Sequence, residues 1–316
     1  MSSEAPVRGA LDGAYHTPVL VDEVVELFGN AKTILDCTLG GGGHSAAFLA
    51  LGANVTAIDR DPAALAAART RLAAYEATGQ FHVILGNFAE VDRLLPDTRL
   101  KFDGVLADLG VSSHQIDSES RGFSFREGAL LDMRMDESGR MSAGELLSRI
   151  DEAELIRVLR DYADEPRARR LAREILRRRE TSPFETSDDL VRAIRGALGA
   201  RSGPADFARI FQGIRIAVND ELGSLEKALP LLRDRLRPGG VLAVIAYHSG
   251  EDRIVKHLMR DWSRDCVCPP MQPRCTCGGR ALGTLVNRKA IKTSAAEVER
   301  NPRARSARLR AWQSVA

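Results

Sequence analysis

Short apolar runs alternate with helix-like segments through the first third of the chain. Between two of these runs, Asp61 and Pro62 supply an N-cap and a first-turn proline for a helix with one apolar face. Alternating strands and helices are typical of parallel βαβ units. The pattern therefore predicts an α/β fold, with strands at residues 33–37, 54–58, 81–85 and 102–107.

Beyond Gly110 the apolar spacing indicates helices only, and an α/β pattern returns further along the chain. We therefore predict an all-helical insertion at residues 118–208. It divides the α/β domain into a first part, residues 1–117, and a second part, residues 209–316.

The second part of the α/β domain begins with a pattern that predicts one long amphipathic helix, from Phe207 to the turn at Pro238-Gly239-Gly240. A strand follows at 241–247, and residues 281–286 and 308–312 are candidates for the last strands. The glycine-rich stretch 196–204 precedes this helix, and we expect it to form a mobile loop.

Composition is that of an ordinary soluble globular protein, with 44% hydrophobic and 28% charged residues among 316. No apolar stretch approaches the roughly 20 residues of a membrane span, and residues 1–13 lack the layout of a signal peptide. We expect a cytoplasmic protein without a membrane partner.

The net charge of +2 excludes a generic polyanion binder, but arginines cluster at 167–173, 177–179 and 300–310. The guanidinium group of arginine binds phosphates well, because its planar set of N–H donors matches the phosphate oxygens. The alternative is a solvated helix face, above all for the first cluster.

Four glycines lie between the first predicted strand and the next helix, in the stretch from Asp36 to Ser45. Only glycine allows so sharp a turn with no Cβ between the backbone and a ligand. The helix that follows directs its unpaired N–H groups at the same place. This stretch predicts a nucleotide-binding turn.

Residues at the ends of the next strands indicate which nucleotide binds. In a doubly wound sheet the ligand lies beyond the carboxyl ends of the strands, where this chain has Asp59, Phe88 and Asp108. Asp59 can hold both hydroxyls of a ribose, and Phe88 can lie beside an adenine. Each residue also has a structural alternative: a helix start for Asp59, a core position for Phe88 and a loop ion pair for Asp108.

A nicotinamide cofactor fits the glycine turn less well than S-adenosylmethionine. The dinucleotide fingerprint needs a small third residue, and counting from Gly40 and Gly42 that position is Ser45. The chain also lacks a second nucleotide-binding half. S-adenosylmethionine needs only the glycine turn for its methionine part, an acid for its ribose and an apolar wall for its adenine.

The sequence resembles the ribosomal small-subunit methyltransferase H family, also called MraW, along nearly its whole length. The matching motifs are Tyr15–Leu20, Asp36–Ser45, Ala57–Pro62, Asp108–Ser113, Arg121–Phe125, Leu131–Asp136, Phe211–Arg215 with Val218-Asn219, His248-Ser249 with Glu251–Lys256, and Asn301–Ser306. Two positions depart from the family pattern. Gly250 replaces a leucine in the His-Ser-Leu-Glu-Asp-Arg motif, and His114 replaces a proline of several relatives.

The resemblance implies a Rossmann-like class I S-adenosylmethionine-dependent methyltransferase fold with an inserted all-α domain that recognises RNA. It implies methylation of the N4 amine of a cytidine in the decoding centre of 16S ribosomal RNA, within the small ribosomal subunit, by a monomer or a homodimer. The cofactor contacts that it implies are Gly42, Gly43, His44, Asp59, Phe88, Asp108 and Gln115.

The cytidine N4 amine is a poor nucleophile, so an enzyme must align it with the methyl group and accept charge from its proton. Asp108 either holds the methionine amine or accepts a hydrogen bond from the target amine, and we favour the first. His248 either contacts the target base or bonds locally to Ser249 or Glu251.

Other polar and aromatic residues near the predicted insertion also have two interpretations each. Asp132 and Asp136 are either acceptors or partners of Arg134. Arg215 and Asn219 either line the RNA site or tie the domains together. Phe123 and Phe125 are candidates for stacking on an extruded base, or they belong to the core.

Four of the five cysteines lie close together in a proline-rich stretch, at Cys266, Cys268, Cys275 and Cys277. They have the count of a tetrahedral zinc site. The alternative is free thiols, since disulfides are rare in a cytosol. Any metal here is expected to be structural.

Two other functions compete with the RNA methyltransferase. One is a nicotinamide-dependent oxidoreductase, which Ser45 and the missing second half disfavour. The other is a catalytically silent RNA-binding factor of ribosome assembly that keeps the cofactor fold.

Overall fold

The computed structural model describes residues 18–110, 122–135, 141–266, 268, 272, 274 and 276–315. The chain forms two compact units. The first comprises Met1–Gly110 and Ser224–Ala316, and the second is Val111–Gly223. None of the helices within the described residues combines the length and the apolar character needed to cross a membrane.

The first unit contains a mixed sheet whose strand order is β3-β2-β1-β4-β5-β8-β6, with β7 also paired to β8. Strands β1 to β5 are parallel, and β8 runs antiparallel to β5. This arrangement confirms the predicted α/β fold. The strands are β1 Thr33–Asp36, β2 Asn54–Asp59, β3 Phe81–Leu85, β4 Phe102–Asp108, β5 Leu236–Ala246, β6 Gly283–Leu285, β7 Ile291–Lys292 and β8 Arg308–Ser314.

Both faces of the sheet are buried because successive side chains point to opposite sides. Ile34 and Leu106 belong to one apolar cluster, whereas Leu35 and Val105 belong to a second. Helices cover both clusters: α1 Val21–Phe28, α2 Gly43–Ala50, α3 Pro62–Ala77, α4 Val91–Leu94, α10 Glu221–Asp234 from Ser224 onward, and α11 Ser249–Trp262. A short helix, α12 Ala295–Arg300, precedes the last strand.

The second unit is helical and has an apolar core of its own. Its helices are α5 Ala143–Arg149, α6 Glu152–Arg157, α7 Ala168–Arg179, α8 Ser187–Leu198 and α9 Pro204–Asn219. The unit ends at Gly223, not at residue 208 as the sequence suggested, because Phe207 and Ile214 of α9 pack into its core. Its first residues, 111–121, lie outside the described ranges.

Three details of the sequence-based prediction are corrected. The expected long helix is two helices, α9 and α10, because Asp220 between them has the left-handed φ of +48°. The loop expected at 196–204 starts only at Gly199, because α8 continues to Leu198, as the apolar spacing from Leu190 to Leu198 indicates. The fifth strand begins at Leu236 and already includes the Pro-Gly-Gly turn.

Arg235, directly before β5, has a buried guanidinium that fixes the loop after α4. It donates to the backbone carbonyls of Leu95 and Asp97 at 2.6 and 2.8 Å and to the carboxylate of Asp92 at 2.7 Å. Arg237, two residues later, is half exposed and donates to Asp103 at 2.8 Å. The two arginines therefore differ in burial: the guanidinium of Arg235 is buried, whereas that of Arg237 is half exposed.

We predict that Arg235→Met lowers the free energy of unfolding by about 2–4 kcal/mol, since buried carbonyls lose their donors. Arg237→Met serves as the control and costs less than about 1 kcal/mol, as exposed pairs do. Both tryptophans of the chain, Trp262 and Trp312, lie in the first unit. Tryptophan fluorescence, recorded during urea unfolding, therefore reports on the first unit, which contains both arginines. Equal losses of unfolding free energy for the two variants would contradict the prediction.

Candidate active site

The glycine turn connects β1 to α2 and is closed by a hydrogen bond from the Gly42 N–H to the Leu39 carbonyl at 2.8 Å. Gly40 and Gly42 have φ values of +51° and +76°, which favour glycine. A Cβ at Gly42 would lie 3.1 Å from Leu72, and one at Gly43 would lie 3.1 Å from Pro18. These two glycines thus allow close packing, whereas a Cβ at Gly40 would meet nothing within 4 Å.

Asp59, at the end of β2, holds the glycine turn in place. Its carboxylate accepts the N–H of Gly40 at 2.7 Å with one oxygen and the N–H of Asp61 at 2.9 Å with the other. The cap of α3 is Asp61, which accepts the Ala63 N–H at 3.0 Å. Asp59 is therefore not a helix cap, and each of its oxygens keeps a lone pair for a hydroxyl donor.

Asp36, at the end of β1, is a buried carboxyl beneath the turn. It accepts the Ser45 hydroxyl at 2.7 Å and the Thr38 N–H at 3.1 Å. Burial raises its pKa to about 6, and the neighbouring charge of Asp59 adds to this rise. The sequence places Asp36 at a strand end directly before the glycine turn, and this position was the only signal for its role.

Asp108, at the end of β4, is held from two sides. Its N–H donates to the Thr38 hydroxyl at 2.7 Å, and its carboxyl accepts the Tyr247 hydroxyl at 2.9 Å. Burial, followed by repulsion from Asp36 and Glu251, raises its pKa to about 7. Near neutral pH, the carboxyl of Asp108 is therefore present in both its neutral and its charged form.

His44 is buried, and burial lowers its pKa to about 4. Its Nε2 lies 3.0 Å from the Val19 carbonyl, so the neutral ring donates from Nε2. The lone pair of Nδ1 is then left on the side of Asp108, whose Oδ2 is 3.7 Å away. His44 is therefore fixed by the Val19 carbonyl, and its ring lies beside the end of β4.

Phe88 lies in a single helical turn after β3 and is half-buried against the sheet. The side chain of Asn87 caps this turn by accepting the Ala89 N–H at 3.0 Å. Phe88 thus combines a packing role with a partly exposed ring. Gln115, the remaining cofactor contact implied by the resemblance, lies outside the described residues.

His248 caps α11 locally, as one of its two interpretations predicted. Its Nδ1 accepts the Glu251 N–H at 3.4 Å. Its buried Nε2 lies 3.2 Å from a Glu251 oxygen but makes no hydrogen bond within the described residues. Tyr247, the residue before it, is the site residue that the sequence analysis missed. Only its place at a strand end could have indicated it.

Polar candidates of the helical unit are bonded within that unit. Asp132 and Arg134 form a two-point ion pair at 2.8 and 2.7 Å, as the partner interpretation predicted. Asn219 is buried, accepts the Met135 N–H at 2.9 Å and donates to the Met133 carbonyl at 2.7 Å. Asp136 lies outside the described residues.

Aromatic and basic candidates of the helical unit also have partners there. The ring of Phe125 contacts Phe207 and Phe211 with centroids 5.9 and 6.0 Å apart, while 37% of its surface stays exposed. In α7, Arg177 and Arg178 both bind Glu174. These contacts favour a structural role for much of the 177–179 cluster.

The cysteine cluster brings three sulfurs together. The Sγ atoms of Cys266, Cys268 and Cys277 lie within 4.8 Å of one another. Those of Cys266 and Cys277 are 3.6 Å apart. Cys275, the fourth predicted ligand, lies outside the described residues.

Comparison with known proteins gives the same family for almost the entire chain. Residues 13–315 match the model of the MraW methylase family. Ribosomal RNA small subunit methyltransferase H of Gemmatimonas aurantiaca is 62% identical, over 98% of this chain and 99% of the relative. The protein of the same name from Myxococcus xanthus is 48% identical, over 95% of this chain and 97% of the relative. The one from Heliobacterium modesticaldum is 44% identical, over 95% of this chain and 99% of the relative. The chain therefore belongs to the MraW methylase family.

Proposed function

We propose that this protein transfers a methyl group from S-adenosylmethionine to the N4 amine of a cytidine in the decoding centre of 16S ribosomal RNA. The substrate is the RNA within the small ribosomal subunit. Family membership and the names of the relatives support RNA methylation. The observation that carries the cofactor assignment is the group of carboxyls at the ends of β1, β2 and β4, of which Asp36 is buried and Asp59 and Asp108 are partly buried.

These carboxyls, Asp36, Asp59 and Asp108, favour a cationic ligand. Burial raises the pKa of all three, and Asp36 further raises that of Asp108. A ligand that carries a sulfonium and an ammonium group relieves this repulsion. The pyrophosphate of a nicotinamide dinucleotide would instead add negative charge beside them, so the oxidoreductase alternative is disfavoured.

Each part of S-adenosylmethionine has a matching residue. Asp59 has oxygen lone pairs for the ribose hydroxyls, and the ring of Phe88 is exposed enough to lie beside the adenine. The open backbone at Gly40 leaves room for the methionine part, and Asp108 receives its amine. Gly42 and Gly43 shape the turn, the ring of His44 lies beside Asp108, and Gln115 is included because the family resemblance implies it. When bound, the cofactor supplies an electrophilic methyl group.

The protein's own contribution to methyl transfer is alignment and charge. The N4 amine gains nucleophilic character only as its proton is drawn towards an acceptor. Tyr247, which donates to Asp108, and His248 lie at the end of β5, next to the cofactor residues. We assign Asp108 to the cofactor amine and keep His248 as the candidate contact to the target base.

The assignment predicts that deletion of the gene removes N4-methylation from one cytidine of 16S ribosomal RNA. Mass-spectrometric nucleoside mapping of RNA from strains with and without the gene measures this. Isothermal titration should show binding of S-adenosylmethionine and none of NAD. Unchanged N4-methylcytidine would leave the silent assembly factor as the better hypothesis.

We further predict that affinity for S-adenosylmethionine rises several-fold, up to about tenfold, between pH 6 and 7.5. A carboxyl with a pKa of about 7 is mostly neutral at pH 6, and only its charged form attracts the cofactor amine. Asp108→Asn should bind more weakly and without this pH dependence in isothermal titrations.

The matched control is Asp103→Asn, which makes the same chemical change near the opposite end of β4. It should keep the affinity and the pH profile of the wild type. An Asp108→Asn protein with normal cofactor affinity but no turnover would instead place Asp108 on the target amine.

We propose as well that the cysteine cluster holds a structural zinc ion. Tetrahedral zinc with Zn–S bonds of about 2.3 Å places its sulfurs about 3.8 Å apart, close to the 3.6 Å between Cys266 and Cys277. Each of the three sulfurs accepts a backbone N–H at 3.4 Å, from Cys268, Thr276 and Gly279. Such outer donors are typical of metal-bound thiolates.

Purified protein is therefore expected to contain about one zinc per chain by elemental analysis. A Cys266→Ser/Cys277→Ser variant should lose the zinc but keep affinity for S-adenosylmethionine. Cys37→Ala, which changes the cysteine outside the cluster, should retain it. Wild-type protein from zinc-supplemented cells that holds no zinc, with all thiols titratable, would exclude the site.

A further inference from the structure

A basic cavity of about 350 Å³ lies in the first unit, beside the end of β5. It is built by three segments that are distant in sequence. Its lining residues are Tyr247, His248, Ser249, Lys292, Arg305, Ser306, Ala307 and Arg308. Three of them are cations and none is an acid.

Positive charge in this cavity is only partly neutralised. Arg308 donates to Asp252 at 3.1 Å, but that carboxylate also binds Arg310 through both oxygens. Within the described residues, the side chains of Lys292 and Arg305 make no ion pair. Two exposed cations therefore face a cavity with no nearby acid committed to them.

The start of α11 adds a further group that is suited to an anion. Ser249 is the first residue of α11, a 14-residue helix whose N-terminus carries partial positive charge. His248 lines the same cavity, but its Nε2 is buried and lies 3.2 Å from a Glu251 oxygen.

The cavity is joined to the candidate active site through one residue. Tyr247 lines it and also donates its hydroxyl to Asp108 at 2.9 Å. The cavity therefore adjoins the residues at which the proposed function places the target base.

We propose that this cavity binds a backbone phosphate of the RNA next to the target cytidine, with Lys292 and Arg305 as its principal ligands. The proposal rests on the proposed function, because that function supplies an RNA substrate. A phosphodiester fits the two cations, whereas a neutral part of the RNA would leave both without a partner.

The test compares a Lys292→Gln/Arg305→Gln variant with an Arg288→Gln/Lys289→Gln control. The control removes the same charge from exposed positions of the neighbouring loop that do not line the cavity. Small ribosomal subunits from a strain that lacks the gene serve as the probe. Their equilibrium binding and their methylation are measured over a series of salt concentrations, together with affinity for S-adenosylmethionine.

For the cavity variant we expect subunit binding and kcat/KM to fall about tenfold. The slope of log affinity against log salt should become shallower by about one unit. Affinity for S-adenosylmethionine and the behaviour of the control should stay within about twofold of wild type.

Equal subunit binding by wild type, cavity variant and control would overturn the phosphate site. So would a loss of affinity with an unchanged salt slope, since the lost contact would then not be with a phosphate. Wild-type protein that binds subunits without methylating them would refute the proposed function. Even then, the difference in subunit binding between the cavity variant and the control would still show whether the cavity binds a phosphate.

Discussion

Complete or partial burial of carboxyl groups at one edge of a parallel sheet is the constraint on which the site depends. Parallel strands end at the same edge, so Asp36, Asp59 and Asp108 are brought together although they are far apart in sequence. Buried charge is costly unless it is hydrogen-bonded. The turn N–H groups, the Ser45 hydroxyl and the Tyr247 hydroxyl provide these bonds. The conformation of the glycine turn and the raised pKa of Asp108 both follow from this arrangement.

Two regions of opposite charge meet at the end of β5. Tyr247 contacts the acidic group at the strand ends through Asp108 and lines the basic cavity with Lys292 and Arg305. A methyl donor of the sulfonium type is cationic, and an RNA acceptor is anionic. The proposed reaction brings these two partners together, and each has a region of complementary charge on the same unit.

The arginine clusters differ in what surrounds them. In α7, Arg177 and Arg178 bind Glu174, and Arg179 donates to carbonyls of Leu147 and Ile150, so these cations stabilise the helical unit. Arg305 has no such partner within the described residues and lines a cavity. Charge content alone could not separate the two cases, because the partners come from other helices and strands.

The sequence by itself determined the α/β fold, the positions of the first four strands and the glycine turn, since these depend on local periodicity and on backbone freedom. It also placed Asp59 and Asp108 at strand ends. Tertiary structure alone decided that α9 belongs to the helical unit and that Tyr247 reaches Asp108. It alone decided, too, that Lys292 and Arg305 share a cavity. Such contacts join segments far apart along the chain, and no local pattern records which of them will meet.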